Sequence, residues 1–266
     1  MRRFAAPLIA TALAIAACQQ PVTLLTDPNA ILAAAASATA SATSVHLDVS
    51  ADGPIEFDPF GTGAGAAINL RGTTAAADLD LAANEVRATF SSPNLMGIAG
   101  ELIVVNGSAY LKSTLTGPNY LKTAVPGTNP ASPSPSTPVL GGLADLLTRA
   151  DLKPTKGDDV PCAGGTCYTI TINLTPEELA ALGGGSGAGG AIPSLPTIPG
   201  IPLPDLATAS VDLSIQVEQT STRLSGIDVV LHLGDVGDPH FVATFTKWNE
   251  PVTIAAPPAD QVAPAP

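Results

Sequence analysis

The sequence predicts an α+β domain built on an antiparallel β-sheet, and three observations carry that reading. Apolar and polar residues alternate with period two in one segment after another, as at Val45, Leu47 and Val49 or at Val211, Leu213, Ile215 and Val217. The segments follow each other through short turns, Asn106-Gly107 among them, which suits antiparallel neighbours. Long crossover helices are missing between them, and that excludes a doubly wound α/β fold.

The elements read in order as follows. Asp27-Pro28 starts a helix, with Asp as N-cap and Pro at the first position, and the helix runs through Ile31 and Leu32 to about Ala42. Strands follow around Val45–Val49, Ala66–Leu70, Leu79–Leu81, Val86–Phe90, Leu102–Val105 and Ser108–Lys112. A Pro/Ser/Thr loop covers 127–138. A second helix covers Leu140–Ala150, with Leu143, Leu146 and Leu147 as its apolar stripe. Strands return at Leu152–Lys156 and Tyr168–Leu174, and Thr175-Pro176-Glu177-Glu178 opens a third helix that ends at Gly183. Three strands at Val211–Val217, Ile227–Leu233 and Phe241–Phe245 close the pattern, with a short one at Val252–Ile254 before a tail, 257–266, that should be disordered.

The insertion 183–206 is rich in Gly and Pro, and Asp205 is its one charge. Ile192, Leu195, Ile198 and Ile201 each precede a proline at three-residue spacing, so a polyproline II helix puts them on one side. Such a stripe either packs on the domain or touches something apolar outside it.

The first residues read as an export signal. Arg2 and Arg3 are the charged start, Phe4–Ala14 the apolar stretch, and Ile15-Ala16-Ala17-Cys18 ends in small residues followed by cysteine. That is the lipobox pattern of bacterial lipoproteins, with an uncleaved signal anchor as the alternative. The apolar stretch falls short of the about 20 residues that cross a bilayer. Residues 1–17 are then a signal peptide, Cys18 carries diacylglycerol and an amide-linked acyl chain such as palmitate, and 18–27 form a tether. More than one chain is what stable anchoring takes.

Charge excludes some partners. Of 11 basic residues Arg2 and Arg3 lie in the leader, which leaves nine against 23 acidic ones. That argues against nucleic acid, whose phosphates need Lys and Arg, and against a domain lying flat on anionic lipid. No cofactor motif is present: the glycine runs lack a following Lys-Thr or Lys-Ser, and no Gly-x-Ser-x-Gly elbow occurs. His46, His232 and His240 form no short metal-ligand pair. Asp235, Asp238 and His240 cluster in sequence and read as a turn, with calcium or catalysis as the lesser alternative. Cys162 and Cys167 flank Ala-Gly-Gly-Thr, and export favours a disulfide across that turn over a metal or redox site.

Several segments resemble the LppX/LprAFG family of bacterial envelope lipoproteins. They are the lipobox, the Ala-rich helix leading to Thr43-Ser44-Val45-His46-Leu47, Gly142-Leu143-Ala144-Asp145-Leu146-Leu147, the Tyr168 strand with Thr175-Pro176-Glu177-Glu178-Leu179, and the closing Trp248-Asn249-Glu250-Pro251-Val252-Thr253 with Pro257-Pro258. The closing run is the most specific. The resemblance covers 28–256 as one domain and implies a strongly curved half-barrel, as in LolA and LolB, with helices over its concave face. It also implies a function without catalysis: acyl chains of a lipid or glycolipid are held between sheet and helices and carried or presented in the envelope, with a lipid transporter as a further partner. The 183–206 insertion and the cysteine pair depart from the family's pattern.

The expected cavity wall is Leu143, Leu146, Leu147, Leu179, Leu213, Ile215, Val229 and Leu231, each on the apolar face of its element. The competing expectation is a structural or adhesive surface lipoprotein in which the same residues pack solid. A hydrolase with scattered residues is the third.

Overall fold

The computed structural model describes residues 24–57, 66–124, 147–149, 152–183 and 208–263. Helix α1 (Pro28–Ala40) leads into β1 (Ser44–Asp52), the hairpin β2 (Pro54–Phe57) and β3 (Ala66–Asn69), then β4 (Thr73–Asp80), β5 (Glu85–Ser92), β6 (Ile98–Val105), β7 (Ser108–Ser113) and β8 (Leu121–Ala124). After these come β9 (Thr155–Lys156), β10 (Val160–Cys162), β11 (Gly165–Leu174), α2 (Pro176–Gly183), β12 (Ser210–Glu218), β13 (Leu224–His232) and β14 (His240–Thr246).

One sheet holds twelve strands in the order β10-β11-β12-β13-β14-β1-β4-β5-β6-β7-β8, with β9 also on β11 and every pair antiparallel. The first and last strands of the chain's two halves meet at β1 and β14, where Leu47 faces Phe245 and Val49 faces Ala243. The sheet is open, and the strong curl expected of a half-barrel is not shown. Asn106 (φ 50°) and Gly107 (φ 69°) make the two-residue turn between β6 and β7, whose left-handed dihedrals match the sheet's twist.

Residues directly opposed on neighbouring strands share a face, so the register divides the sheet into an apolar and a polar side. The apolar side carries Ile170, Ile172, Leu213, Ile215, Ile227, Ala243, Val45 and Leu79. Helix α1 buries Ile31, Leu32, Ala35, Ala36 and Thr39, a helical spacing, and the first four join the main core with the sheet residues, Leu147, Leu152 and Leu179. Asp27 caps the helix by accepting from the Asn29 N–H at 3.2 Å. In α2 the Thr175 hydroxyl accepts from Glu178 N–H and the Glu178 carboxylate from Thr175 N–H, the reciprocal box its sequence announces.

Of the three helices expected over the sheet, α1 and α2 contact β12 and β11, and no cover of the remaining strands is shown. The second helix, the leader with Cys18, the loop 127–138 and the insertion beyond Gly183 lie outside the described residues, apart from Leu147 to Arg149. Two expectations need correction. The stretch Val252–Ile254 forms no strand: Val252 and Ile254 instead pack with Ile103, Val105, Tyr110 and Tyr120 in a second, smaller core on the polar side. The tail, expected to be disordered, is ordered to Ala263, because Tyr120 N–H donates to Gln261 O and Ala263 N–H to Tyr120 O, both at 2.8 Å.

Candidate functional site

The described helices cover the apolar face only in part. Under α1, Leu213, Ile215 and Leu224 are buried. Farther along, the same side continues as half-buried residues: Val229 and Leu231 on β13, Val49 on β1, Ala75 and Ala77 on β4, Ala88 and Phe90 on β5, Leu102 on β6. The register sets Phe245, Leu47, Ala77, Ala88, Leu102, Leu111 and Leu121 in one line across seven strands. The alanines keep the middle of that line low between the larger Leu79 and Val86 on one side and Phe90 on the other. Phe90 itself occupies the space over Gly100, where a Cβ would come within 2.6 Å of the ring.

The expected wall residues fall into three groups. Leu147, Leu179, Leu213 and Ile215 are buried together in the main core. Val229 and Leu231 share their face but are half-buried. Leu143 and Leu146 lie outside the described residues. The register places Leu213 opposite Val229 and Ile215 opposite Ile227. The register thus sets Leu213, Ile215, Val229 and Leu231 on one face of the sheet.

The polar side holds a different feature. A concavity of about 420 Å³ opens there, lined among others by Asp48, Ser50, Thr74, Thr89, Ser91 and Thr244. It lies across the sheet from the expected cavity. All three histidines also stand on this side, each bonded to aspartate. His46 Nδ1 is 2.6 Å from Asp78 and its Nε2 3.3 Å from Asp48. His232 sits between Asp212 at 3.0 Å and Asp238 at 3.1 Å. His240 is 2.8 Å from Asp228. Hydrogen bonds to Asp212, then to Asp238, hold the His232 imidazole above its usual pKa. The sequence cluster Asp235, Asp238 and His240 is thus split between two partners. His46 and Asp78 are direct neighbours in the register, a cross-strand pairing that alternation within each strand does not reveal.

This chemistry is that of a hydrogen-bonded sheet surface. Each histidine pairs with a carboxylate and none with a hydroxyl or thiol nucleophile, the contact that acyl-transfer catalysis needs. Among the described residues no group of three or more His, Cys, Asp or Glu is arranged to hold a metal. Near the β8 edge Tyr120 Oη donates to Glu101 at 2.6 Å. Burial raises the Glu101 carboxyl, but the bonds from Tyr120 and Arg87 and the charges of Arg87 and Lys112 outweigh it and hold the group below its usual range. Tyr120 is raised in turn, first by that bond.

Cys162 and Cys167 are joined by a disulfide with Cα atoms 5.9 Å apart, across the β10–β11 turn. At the start of the described chain Leu25 N–H donates to the buried Tyr168 hydroxyl at 2.8 Å, which ties the segment before α1 to β11. No described helix is long and apolar enough to cross a membrane.

No protein-family model and no curated protein matches the chain. Solved structures do. LprF from Mycobacterium bovis superposes with a TM-score of 0.51 at 16% identity, over 88% of this chain and 98% of that one. The lipoprotein LppX from Mycobacterium tuberculosis follows at 0.48 and 15%, over 86% and 98%. A LolA superfamily protein from Nitrosomonas europaea gives 0.24 at 8%, over 90% and 99%. At these identities the LprF likeness establishes a shared fold, and the two lower scores carry no argument.

Proposed function

We propose that this chain is an exported lipoprotein, anchored through Cys18 to the outer face of the cell membrane, that binds acyl chains of a lipid or glycolipid and carries or presents them in the cell envelope. The observation that carries the reading is the apolar face itself. Seven strands contribute an unbroken apolar line, and from β1 to β8 its side chains are only half-buried or exposed. A folded domain gains nothing by leaving such a line open to water, since each methylene taken out of water is worth about 0.8 kcal/mol. An acyl chain laid over the Ala77–Ala88 floor gains that energy with no covalent chemistry. The fold shared with LprF and the lipobox at Cys18 agree with the reading.

A second reading has its own support. Leu147, Leu179, Leu213 and Ile215 are buried in one core with the apolar residues of α1, as in a structural lipoprotein with a solid core. Under the lipid reading these residues are the foundation of the site, and its wall is shifted toward Val229, Leu231 and Phe90.

The deciding experiment is native mass spectrometry of the protein purified gently from its host membranes. The expected result is a discrete added mass that extracts into organic solvent and contains acyl chains. A protein that is bare after such purification, and that stays bare when mixed with host lipid extract, belongs to the structural reading.

A further inference from the structure

Five large hydrophobic side chains are exposed among the described residues: Leu24, Met96, Leu111, Leu115 and Leu121. Four of them gather at one corner of the sheet. Met96 (71% exposed) tips the β5–β6 turn and Leu115 (64%) the β7–β8 turn. The two turns are tied to one another, because Thr114 N–H donates to Ala99 O at 2.8 Å and the Thr114 hydroxyl to Gly97 O at 3.3 Å. Leu111 and Leu121 face each other on β7 and β8 beside them. An exposed Leu alone means nothing, but a contiguous apolar patch on an otherwise polar surface marks a contact.

The charge around the corner is also out of keeping with the chain. Neither Ser91–Ile98 nor Ser113–Tyr120 contains a charged residue. Lys112 and Lys122 stand next to Leu111 and Leu121 in β7 and β8, each over a tyrosine ring, while Arg87, at the far end of β5, pairs with Glu101, in a chain whose formal net charge is −12. Arg71, on the next turn, accepts at its carbonyl from Asn94 of the β5–β6 turn. Apolar tips rimmed by a few cations match an anionic bilayer, where Leu and Met enter the acyl boundary and Lys and Arg stay at the headgroups. The rest of the acidic surface is repelled, so contact is confined to the corner.

We propose that this corner docks on an anionic lipid bilayer through Met96 and Leu115. The docked corner also has a direction. Leu121 and Leu111 lead to Leu102, Ala88 and Ala77 along the register, so an acyl chain leaving the bilayer here moves onto the apolar face without crossing a polar residue. That second half rests on the lipid-binding reading, whereas docking stands without it. The described chain begins at Leu24 and bonds through Leu25 beside β11, six to nine strands from the corner's strands in the sheet order.

The test uses the full-length chain carrying Cys18→Ser, so that no anchor holds it to vesicles. Tryptophan is placed at Met96, at Leu115 or, as a control, at the exposed Ala83 on the opposite end of β4. Each variant is mixed with phosphatidylcholine/phosphatidylglycerol vesicles containing brominated acyl chains. Quenching at positions 96 and 115 and none at 83 is expected, and it should weaken with salt. In flotation, Met96→Glu and Leu115→Glu should each lower the vesicle-bound fraction about tenfold, because each removes one inserted apolar side chain. Equal quenching at all three positions, or no quenching, overturns the proposal. So does flotation indifferent to both Glu variants, including the case in which the patch serves a protein partner. Bound lipid is weighed separately by native mass spectrometry. Lipid present without quenching rejects docking and leaves lipid binding intact, and quenching in a lipid-free protein does the reverse.

Discussion

Phe90 rests on Gly100: a Cβ at position 100 would stand 2.6 Å from the ring's Cζ and closer still to the carbonyl oxygen of Lys112. The glycine therefore leaves the room that the ring takes on the half-open part of the apolar face. Gly100→Ala must push the ring or the β6–β7 ladder, and overpacking of that kind costs about 1–3 kcal/mol. A lowered denaturant midpoint is expected. Pairing the change with Phe90→Leu should recover part of the loss, since residues in contact couple. Additive losses would show that ring and glycine do not share the space.

The apolar face makes a second prediction, which separates its two halves. Leu147 is 3% exposed within the main core, so Leu147→Trp should destabilise by about 1–3 kcal/mol. Val229 is half-buried on the same face, and Val229→Trp should leave thermal stability near normal while lowering bound lipid. If both variants lose stability equally and neither changes lipid content, Val229 belongs to a solid core.

With the anchor proposed at Cys18, Cys18→Ser should release an intact domain from membranes in high salt, where the contact proposed for the Met96–Leu115 corner is weakened. Fractionation in high salt is the check. A variant that still sediments with membranes would assign retention to something other than the anchor.

The Cys162–Cys167 disulfide closes a loop with a sequence separation of 5. Entropic stabilisation grows with loop length, so replacing both cysteines with serine should cost roughly 2 kcal/mol at most. Chemical denaturation measures it. A much larger loss would mean that the bond, not the surrounding ladder, holds β10 in place.

His232 gives a pH dependence. Its pKa is raised by Asp212 and Asp238, so the contribution is complete below the usual imidazole value of 6.5 and fades as pH climbs through the raised one. Stability attributable to this site should therefore begin to fall as pH rises past 6.5 and be lost at pH above the raised value. The difference between the wild type and Asp212→Asn isolates it, and the two curves should converge at the alkaline end. Parallel curves would show that the histidine does not sense Asp212.

Much of the fold was legible because it rests on local rules. Alternation placed β1, β5, β6, β11, β12, β13 and β14, and Asp27-Pro28 and Thr175-Pro176-Glu177-Glu178 announced both described helices. The short strands β2, β8 and β10 were missed, since three or four residues give too little period to read. The stretch Val252–Ile254 alternates like a strand, yet it serves a small core on the polar side. Alternation reports that one side of a segment is buried and says nothing of what buries it.

The sequence by itself determined the alternation that puts Leu213, Ile215, Val229 and Leu231 on one face and the closeness of Cys162 to Cys167. Each depends on residues close together in the chain. Only the tertiary structure decided which parts of the apolar face are covered, because cover is supplied by α1 and α2 from distant positions. It also decided that Met96, Leu111, Leu115 and Leu121 meet at one corner. In sequence these are four unremarkable residues in two turns and two strands; the β-ladder brings them together, and their common exposure is a property of the assembled surface.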